Sequence, residues 1–230
     1  MSLICIIPAR GGSKRLPGKN IRDFLGKPII AYSIESALET GVFDEVMVST
    51  DDEEISSIAK KYHAKVPFLR SEKTSNDHAG LSDVIIEVLK QYEEIEKFYD
   101  MVCCVLPTAP FITSKKLMYA KRIIDKGIYD SVFPIVEYSY PIQRSLKITN
   151  DYVAMRWPEN LNERSQDLEP SYHDAGQFYF IKTRVLLSEK KLFTSNAGYI
   201  ELNSLEVQDI DTEIDWKLAE MKYKLMNDET

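Results

Sequence analysis

The chain has 230 residues, 44% of them apolar and 28% charged, with a net charge of −7 and an isoelectric point near 5.2. That composition supports one large α/β domain with a full core and excludes a disordered chain, and the acidic balance excludes non-specific nucleic-acid binding, which rests on basic surface. No run approaches the ~20 apolar residues that cross a bilayer, the apolar run at 3–7 is far too short for a signal peptide, and the three cysteines make no disulfide framework. The expectation is a cytoplasmic protein without nucleic-acid or membrane partners.

Residues 3–7 read as a buried strand. The segment that follows, Pro8-Ala9-Arg10-Gly11-Gly12-Ser13-Lys14-Arg15-Leu16-Pro17-Gly18-Lys19-Asn20, holds three glycines and four cations, Arg10, Lys14, Arg15 and Lys19. Glycine lets backbone N–H groups approach an anion closely, and the cations neutralise it, so the segment reads as a polyphosphate cradle. It lacks the Gly-Lys-Ser/Thr end of the Walker loop and the third glycine of the dinucleotide fingerprint. A glycine-rich turn with solvated charges is the plainer alternative.

A helix is expected over 28–38, with proline in its first turn and Gly41 at its end. A strand over 45–50 follows, then a helix opened by Asp51 and running to about residue 62, with acidic residues favoured by its dipole. A short strand over 66–69 leads to a polar loop at 70–80 and a helix from 81 to about 97. Residues 101–106 form a continuous apolar run, as in a central parallel strand, in which Cys103 and Cys104 face opposite sides as buried thiols. Pro107-Thr108-Ala109-Pro110 breaks the run, Thr113 caps a helix to about residue 126, and residues 131–136 form another central strand.

The alternation then breaks. Residues 138–174 are rich in Pro, Asn, Arg and aromatics, with an alternating stretch at 145–155 that predicts a hairpin around Asn150-Asp151. Tyr138, Tyr140, Tyr152, Trp157 and Tyr172 argue against a disordered loop, so this is an arm suited to a subunit contact or a lid. Strands at 177–181, 199–202 and 206–210 and a closing helix at 211–226, with Trp216, Leu218 and Ala219 toward the core, complete one domain over 1–230. The β/α order predicts an αβα sandwich with a mostly parallel sheet, its ligands bound beyond the carboxyl ends of the strands.

Asp209-Ile210-Asp211-Thr212-Glu213-Ile214-Asp215 places four carboxylates at a strand–helix junction. Asp209 and Asp211 lie on one side if the strand is extended, and two hard oxygen ligands with phosphate and water suit Mg²⁺. Helix capping by Asp211, with Glu213 and Asp215 placed for the dipole, is the alternative. Cradle and carboxylates together indicate an activated nucleoside triphosphate, with catalysis by positioning and charge stabilisation.

These residues resemble the family of CMP-sialic acid synthetases, cytidylyltransferases that activate nonulosonic acids. Ile7-Pro8-Ala9-Arg10-Gly11-Gly12-Ser13-Lys14 with Pro17-Gly18-Lys19-Asn20 is similar to the family's opening motif, and Arg70 with Asp77-His78-Ala79-Gly80 to its second. Leu106-Pro107-Thr108-Ala109-Pro110 resembles the third motif and Asp209-Ile210-Asp211-Thr212-Glu213 the last. The resemblance implies a Rossmann-like αβα nucleotidyltransferase fold with a dimerisation arm, hence a homodimer. It implies transfer of CMP from CTP to a 2-keto acid sugar, with Mg²⁺ and release of pyrophosphate. It implies that the cradle from Ala9 and Gly11 onward, through Arg10, Ser13, Lys14 and Lys19, binds triphosphate, with Lys19 at the α-phosphate. Asn20, Arg70 and the backbone of Ala79 would hold cytidine, and Asp209 and Asp211 the metal. Arg144 and Arg164 are candidates for the sugar carboxylate, as bidentate forks or as plain surface arginines.

Two departures bear on the sugar. The family usually has Gln-Pro-Thr-Ser-Pro where this chain has Leu106-Pro107-Thr108-Ala109-Pro110, so Leu106 and Thr108 meet a sugar without the usual glutamine. Tyr172-His173-Asp174-Ala175-Gly176-Gln177-Phe178-Tyr179 departs from Asn-Gly-Ala-Ile-Tyr and resembles the pseudaminic acid branch, with Gln177 on the sugar side. His173 is a structural residue or a catalytic one. Pseudaminic acid is the expected substrate, with N-acetylneuraminate and legionaminate as the alternatives within the family. A glycosyltransferase using a finished nucleotide sugar shares the carboxylates but does not need four cations, and a non-enzymatic nucleotide-binding regulator needs the loop but not the carboxylates.

Overall fold

A computed structural model of the chain describes residues 1–76 and 79–228. Strand β1 (Leu3–Pro8) is followed by the glycine-rich loop, a short ribbon of β2 (Asp23–Phe24) and β3 (Lys27–Pro28), and helix α1 (Ile29–Glu39). Then come β4 (Glu45–Ser49), α2 (Glu53–Lys61), a single turn α3 (Glu72–Ser75), α4 (Leu81–Glu93), β5 (Met101–Val105), α5 (Ser114–Ile124) and β6 (Ser131–Glu137). The arm carries the hairpin β7 (Leu146–Thr149) and β8 (Tyr152–Met155), after which β9 (Tyr172–Asp174), β10 (Phe178–Lys182), α6 (Thr183–Glu189), β11 (Ala197–Leu202) and α7 (Glu213–Asp228) close the fold.

Among the described residues the main sheet runs β11-β6-β10-β5-β1-β4, with β9 also on β6. The pairs β1–β4, β1–β5 and β6–β11 are parallel; β9 and β10 are antiparallel to their neighbours. The apolar run before α6 specifies a buried strand in either direction, and chain order alone does not choose. Period-2 alternation divides the strands between two layers. Leu3, Cys5, Ile7 and Cys103 meet α1, α2 and α5; Ile4, Ile6 and Cys104 meet α4 and α6. The adjacent cysteines therefore face opposite sides, and burial pushes both thiols up.

Several local expectations change. No strand forms over 66–69; Lys65 alone bridges Met47, because Pro67 offers no N–H to extend a ladder. Asp52, not Asp51, caps α2, its Oδ1 accepting from the N–H groups of Glu54 and Ile55. Helix α4 ends at Glu93, four residues early, and the chain turns through Glu96 at φ +59°. The segment 206–210 is not a strand: its carbonyls are taken by side chains, Glu206 by Gln177 Nε2, Val207 by Lys222 Nζ and Ile210 by Lys19 Nζ. Leu218 is exposed; Trp216 and Ala219 are buried, and Tyr223 packs beside them against Phe24 and Tyr32. The hairpin turns at Asn150-Asp151 as expected, both residues at positive φ, the geometry that matches strand twist.

Candidate active site

β1 delivers its C-terminal end to the loop. The N–H of the buried Ala9 donates to Ser49 O at 2.9 Å, extending the β1–β4 pairing by one bond. The Gly11 N–H donates to Asp51 Oδ1 at 3.0 Å, which gives Asp51 the task of anchoring the loop. Leu16 pins the middle of the loop in the cluster around Phe24 and Trp216, and Gly18 turns it at φ +65° into a 3₁₀ turn, Lys19–Ile21. Asn20 is buried and ties the turn back to the loop's start, its Nδ2 donating to Arg10 O at 2.9 Å.

The loop borders a cavity of about 550 Å³ at the carboxyl ends of β1 and β5, lined from this side by Arg10, Ser13, Lys14, Arg15, Lys19 and Asn20. Facing them are Arg70, Thr74, Asn76 and Ala79; Leu81 and Val84 come from α4, Leu106, Pro107 and Thr108 from the end of β5, and Asp211 closes the ring. Arg70 is 8% exposed, with its Nε donating to Ser49 Oγ at 3.1 Å and one terminal nitrogen to Ser49 O. Burial pulls its pKa down, while Asp51 and Glu87 hold it up. Glu87 also gathers the loop, accepting from Ser71 N and Oγ and from Thr74 Oγ1. Asp77 and His78 of the second motif lie outside the described residues.

Asp211 is not a helix cap. Thr212 caps α7, its hydroxyl accepting from Asp215 N at 3.3 Å while Asp215 Oδ2 accepts from Thr212 N at 2.8 Å and from Asp211 N at 3.2 Å. The Thr212 hydroxyl also donates to Asp215 Oδ2 at 2.8 Å, and this bond first, with the two backbone donors, holds the Asp215 carboxyl below the usual carboxylate range. The Asp211 carboxylate is thereby left to the cavity, where Arg15 Nη1 lies 2.5 Å and Lys19 Nζ 3.4 Å from it. Lys19 Nζ also donates to Ile210 O, and Arg22 grips Glu213 with two nitrogens at 2.6 and 2.9 Å while stacking over Trp216. The basic loop and the acidic turn are thus fastened together.

A polyanion-sized cavity ringed by cations, with one carboxylate free of helix capping, fits nucleotide chemistry. The family model for cytidylyltransferases matches residues 4–226. The chain belongs to the cytidylyltransferase family. A pseudaminic acid cytidylyltransferase from Campylobacter jejuni is 43% identical over 226 residues, covering 98% of this chain and 97% of the relative. A CMP-N,N'-diacetyllegionaminic acid synthase from Legionella pneumophila is 35% identical, with 98% and 97% covered. In fold, the chain is similar to a CMP:2-keto-3-deoxy-manno-octonic acid synthetase solved with CTP, at TM-score 0.70 and 22% identity over the whole of both chains.

In this cytidylyltransferase the remaining sequence candidates stand apart from the cavity. Asp209 is exposed and does not line it, and the segment 207–212 that carries it is not a paired strand. On the arm, Arg144 donates to Glu163 O at 2.8 Å and Arg164 lies 3.6 Å from Asp167; neither reaches the cavity within this chain. Gln177 is buried next to Leu106, whose N–H donates to Gln177 O at 2.8 Å. His173 packs at a tilt against Tyr138, its ring centroid 4.7 Å away, and does not line the cavity.

Three contributors escaped the sequence reading. Arg15 was visible as a cation, but nothing in its spacing indicated the Asp211 contact. Asp51 and Asp52 read as helix-opening acids, yet they shape the loop. A Cβ on Gly11 would fall 2.6 Å from Asp52 Oδ2, and Asp52 cannot withdraw without abandoning the α2 cap. Gly11→Ala is therefore expected to cost about 1–2 kcal/mol in chemical denaturation, as for a lost cap, and to raise KM for CTP. Unchanged stability and unchanged KM would show that the loop relaxes freely.

Proposed function

We propose that the protein transfers CMP from CTP to the anomeric hydroxyl of a nonulosonic acid, pseudaminic acid, releasing pyrophosphate. The observation that carries this is the cavity itself: cations on one wall, Asp211 on the rim, and Leu106 with Thr108 at the end of β5 where a second substrate would enter. The anomeric hydroxyl oxygen attacks the α-phosphorus of CTP and gives up its proton to water, the α–β bridging bond breaks, and the pyrophosphate carries away the electron pair. Arg10, Ser13, Lys14 and the loop's backbone hold the β- and γ-phosphates, and Lys19 meets the negative charge that grows at the α-phosphate. Asn20, the buried Arg70 and the backbone of Ala79 hold the cytidine.

Asp211 fits Mg²⁺. It is a hard oxygen donor, free of capping duty, beside the cations that would hold phosphate oxygens, and magnesium takes few carboxylates and keeps its waters. When bound, the ion would neutralise phosphate charge and align the triphosphate. Asp209 is the second candidate and would need the turn at 207–210 to move toward the cavity.

Leu106 favours a diacetamido sugar over N-acetylneuraminate. It offers no hydrogen bond to a glycerol-tail hydroxyl, and a buried hydroxyl left unpaired costs roughly 1–3 kcal/mol. Competition between pseudaminic acid and N-acetylneuraminate at limiting CTP is expected to favour the former by ~10–100-fold in kcat/KM. Equal consumption would remove Leu106 as a specificity residue, and preferential use of legionaminate would move the assignment to that stereoisomer. Absence of pyrophosphate with every nonulosonic acid would favour a glycosyltransferase or a binding protein.

The arm supports a homodimer. Its aromatics Tyr138, Tyr140, Tyr152, Trp157 and Tyr172 are exposed, and Ile148 and Tyr152 are 77% and 79% exposed on the outward hairpin. A symmetric partner is the commonest means of burying such a surface. Light scattering is expected to give twice the 26.5 kDa chain mass. A fully active monomer at working concentration would rule out the dimer. No helix among the described residues is long and apolar enough to cross a membrane.

A further inference from the structure

We propose that Asp174 selects the sugar by accepting N–H donors from its acetamido groups, and that Tyr179 positions Asp174 for this. The inference rests on the acceptor being a nonulosonic acid. β9 and β10 run along β6 as one antiparallel strand broken at 175–177, where Ala175 N donates to Pro134 O at 3.0 Å and Gly176 turns at φ +61°. On its other edge this strand pairs with β5 only as far as Phe178↔Val105, plus the bond from Leu106 N to Gln177 O. Pro107 has no N–H with which to continue the ladder. The stretch at 174–176 therefore overhangs the end of β5, beyond Leu106; it does not itself line the cavity but borders Leu106, which does.

The face is also the right one. Tyr179 packs with Cys104, Ile85 and Val88 in the layer of α4, and α4 supplies Leu81 and Val84 to the cavity wall. The Tyr179 hydroxyl donates to Asp174 Oδ2, and the Gly176 N–H donates to Oδ1 at 2.9 Å. Each carboxylate oxygen is held from the protein side and keeps a lone pair for a ligand. Burial, followed by the hydrogen bond to Asp174 and its charge, drives the Tyr179 pKa far upward, so its hydroxyl stays a donor to Asp174. Three residues on, Gln177 Oε1 is buried without a partner and is a second acceptor in the same turn. Acceptors alone on this side would repel the sugar's own carboxylate, which must then face elsewhere. They match amide N–H groups, of which a diacetamido sugar carries two.

The test is steady-state kinetics of Asp174→Asn and Tyr179→Phe with CTP and either a diacetamido nonulosonic acid or N-acetylneuraminate, alongside thermal unfolding. Asp174→Asn keeps the shape and one acceptor. It is expected to raise KM for the diacetamido sugar about 10–100-fold, leave KM for CTP within about twofold, and narrow the preference over N-acetylneuraminate. Tyr179→Phe is expected to move the sugar KM the same way by about 2–10-fold, the size of one neutral hydrogen bond. Unchanged sugar KM in both variants overturns the assignment. So do parallel rises in both KM values with a lower melting temperature, which would make the pair a brace for the broken strand. If the wild-type protein releases no pyrophosphate with any nonulosonic acid, the reading of the acceptor fails first and takes this assignment with it.

Discussion

Lys19→Ala is expected to lower kcat by roughly 10²–10³-fold while the dissociation constant for CTP changes little, because the side chain acts where charge grows as the α-phosphate is attacked. Lys19 ends the loop, its side chain is only 18% exposed, and its nitrogen sits between Ile210 O and the Asp211 carboxylate. Single-turnover rates with prebound CTP separate the two quantities. Near-normal kcat would make Lys19 a tether of the 210–211 turn and remove it from the chemistry. Because that tether is also lost, a melting curve belongs beside the rates, and a fall in kcat at unchanged melting temperature is the expected pattern.

Asp211→Asn is the second large effect. With Thr212 as the cap of α7, the carboxylate has no helix to hold, and its contact with Arg15 is largely exposed and contributes little to stability. Melting temperature should therefore stay within a degree or two. Activity should fall by roughly 10²–10³-fold, since a metal ion supplies several kcal/mol of charge stabilisation and asparagine is a poor substitute ligand. The measurement is rate against Mg²⁺ concentration for both proteins. Full activity of the variant at ordinary Mg²⁺ would leave Asp211 only its ion pairs.

How far the sequence could be read depended on how local each cause was. The glycine-rich loop was legible because its conformation is set within a dozen residues and its charges stand out in an acidic chain. The strands ending at Pro8 and Val105 were legible because unbroken apolar runs admit few other fates. Arg70 could be singled out only through the family motif, since its burial against Ser49 is a tertiary contact. The antiparallel sense of β10 was hidden for the same reason. The apolar spacing at 206–210 imitates a strand, and only the approach of Lys222 and Gln177 reveals that side chains serve its carbonyls instead. Of the two carboxylates at its end, Asp211 lines the cavity and Asp209 does not. Asp174 and Tyr179 are five residues apart across a broken strand, a spacing that carries no signal until the break is seen.

The clasp between Arg22 and Glu213 joins residues 191 positions apart, and Lys19 reaches Ile210 over the same span. Closing so long a loop costs chain entropy that local contacts do not return, so these bonds form after the sheet they rest on. A ribosome releases the cationic loop 191 residues before the acidic partners that clasp it. During synthesis the loop's positive charge therefore stands without its counterweight. Loop and turn meet only once the strands between them have paired, so the clasp reports that the sheet is assembled.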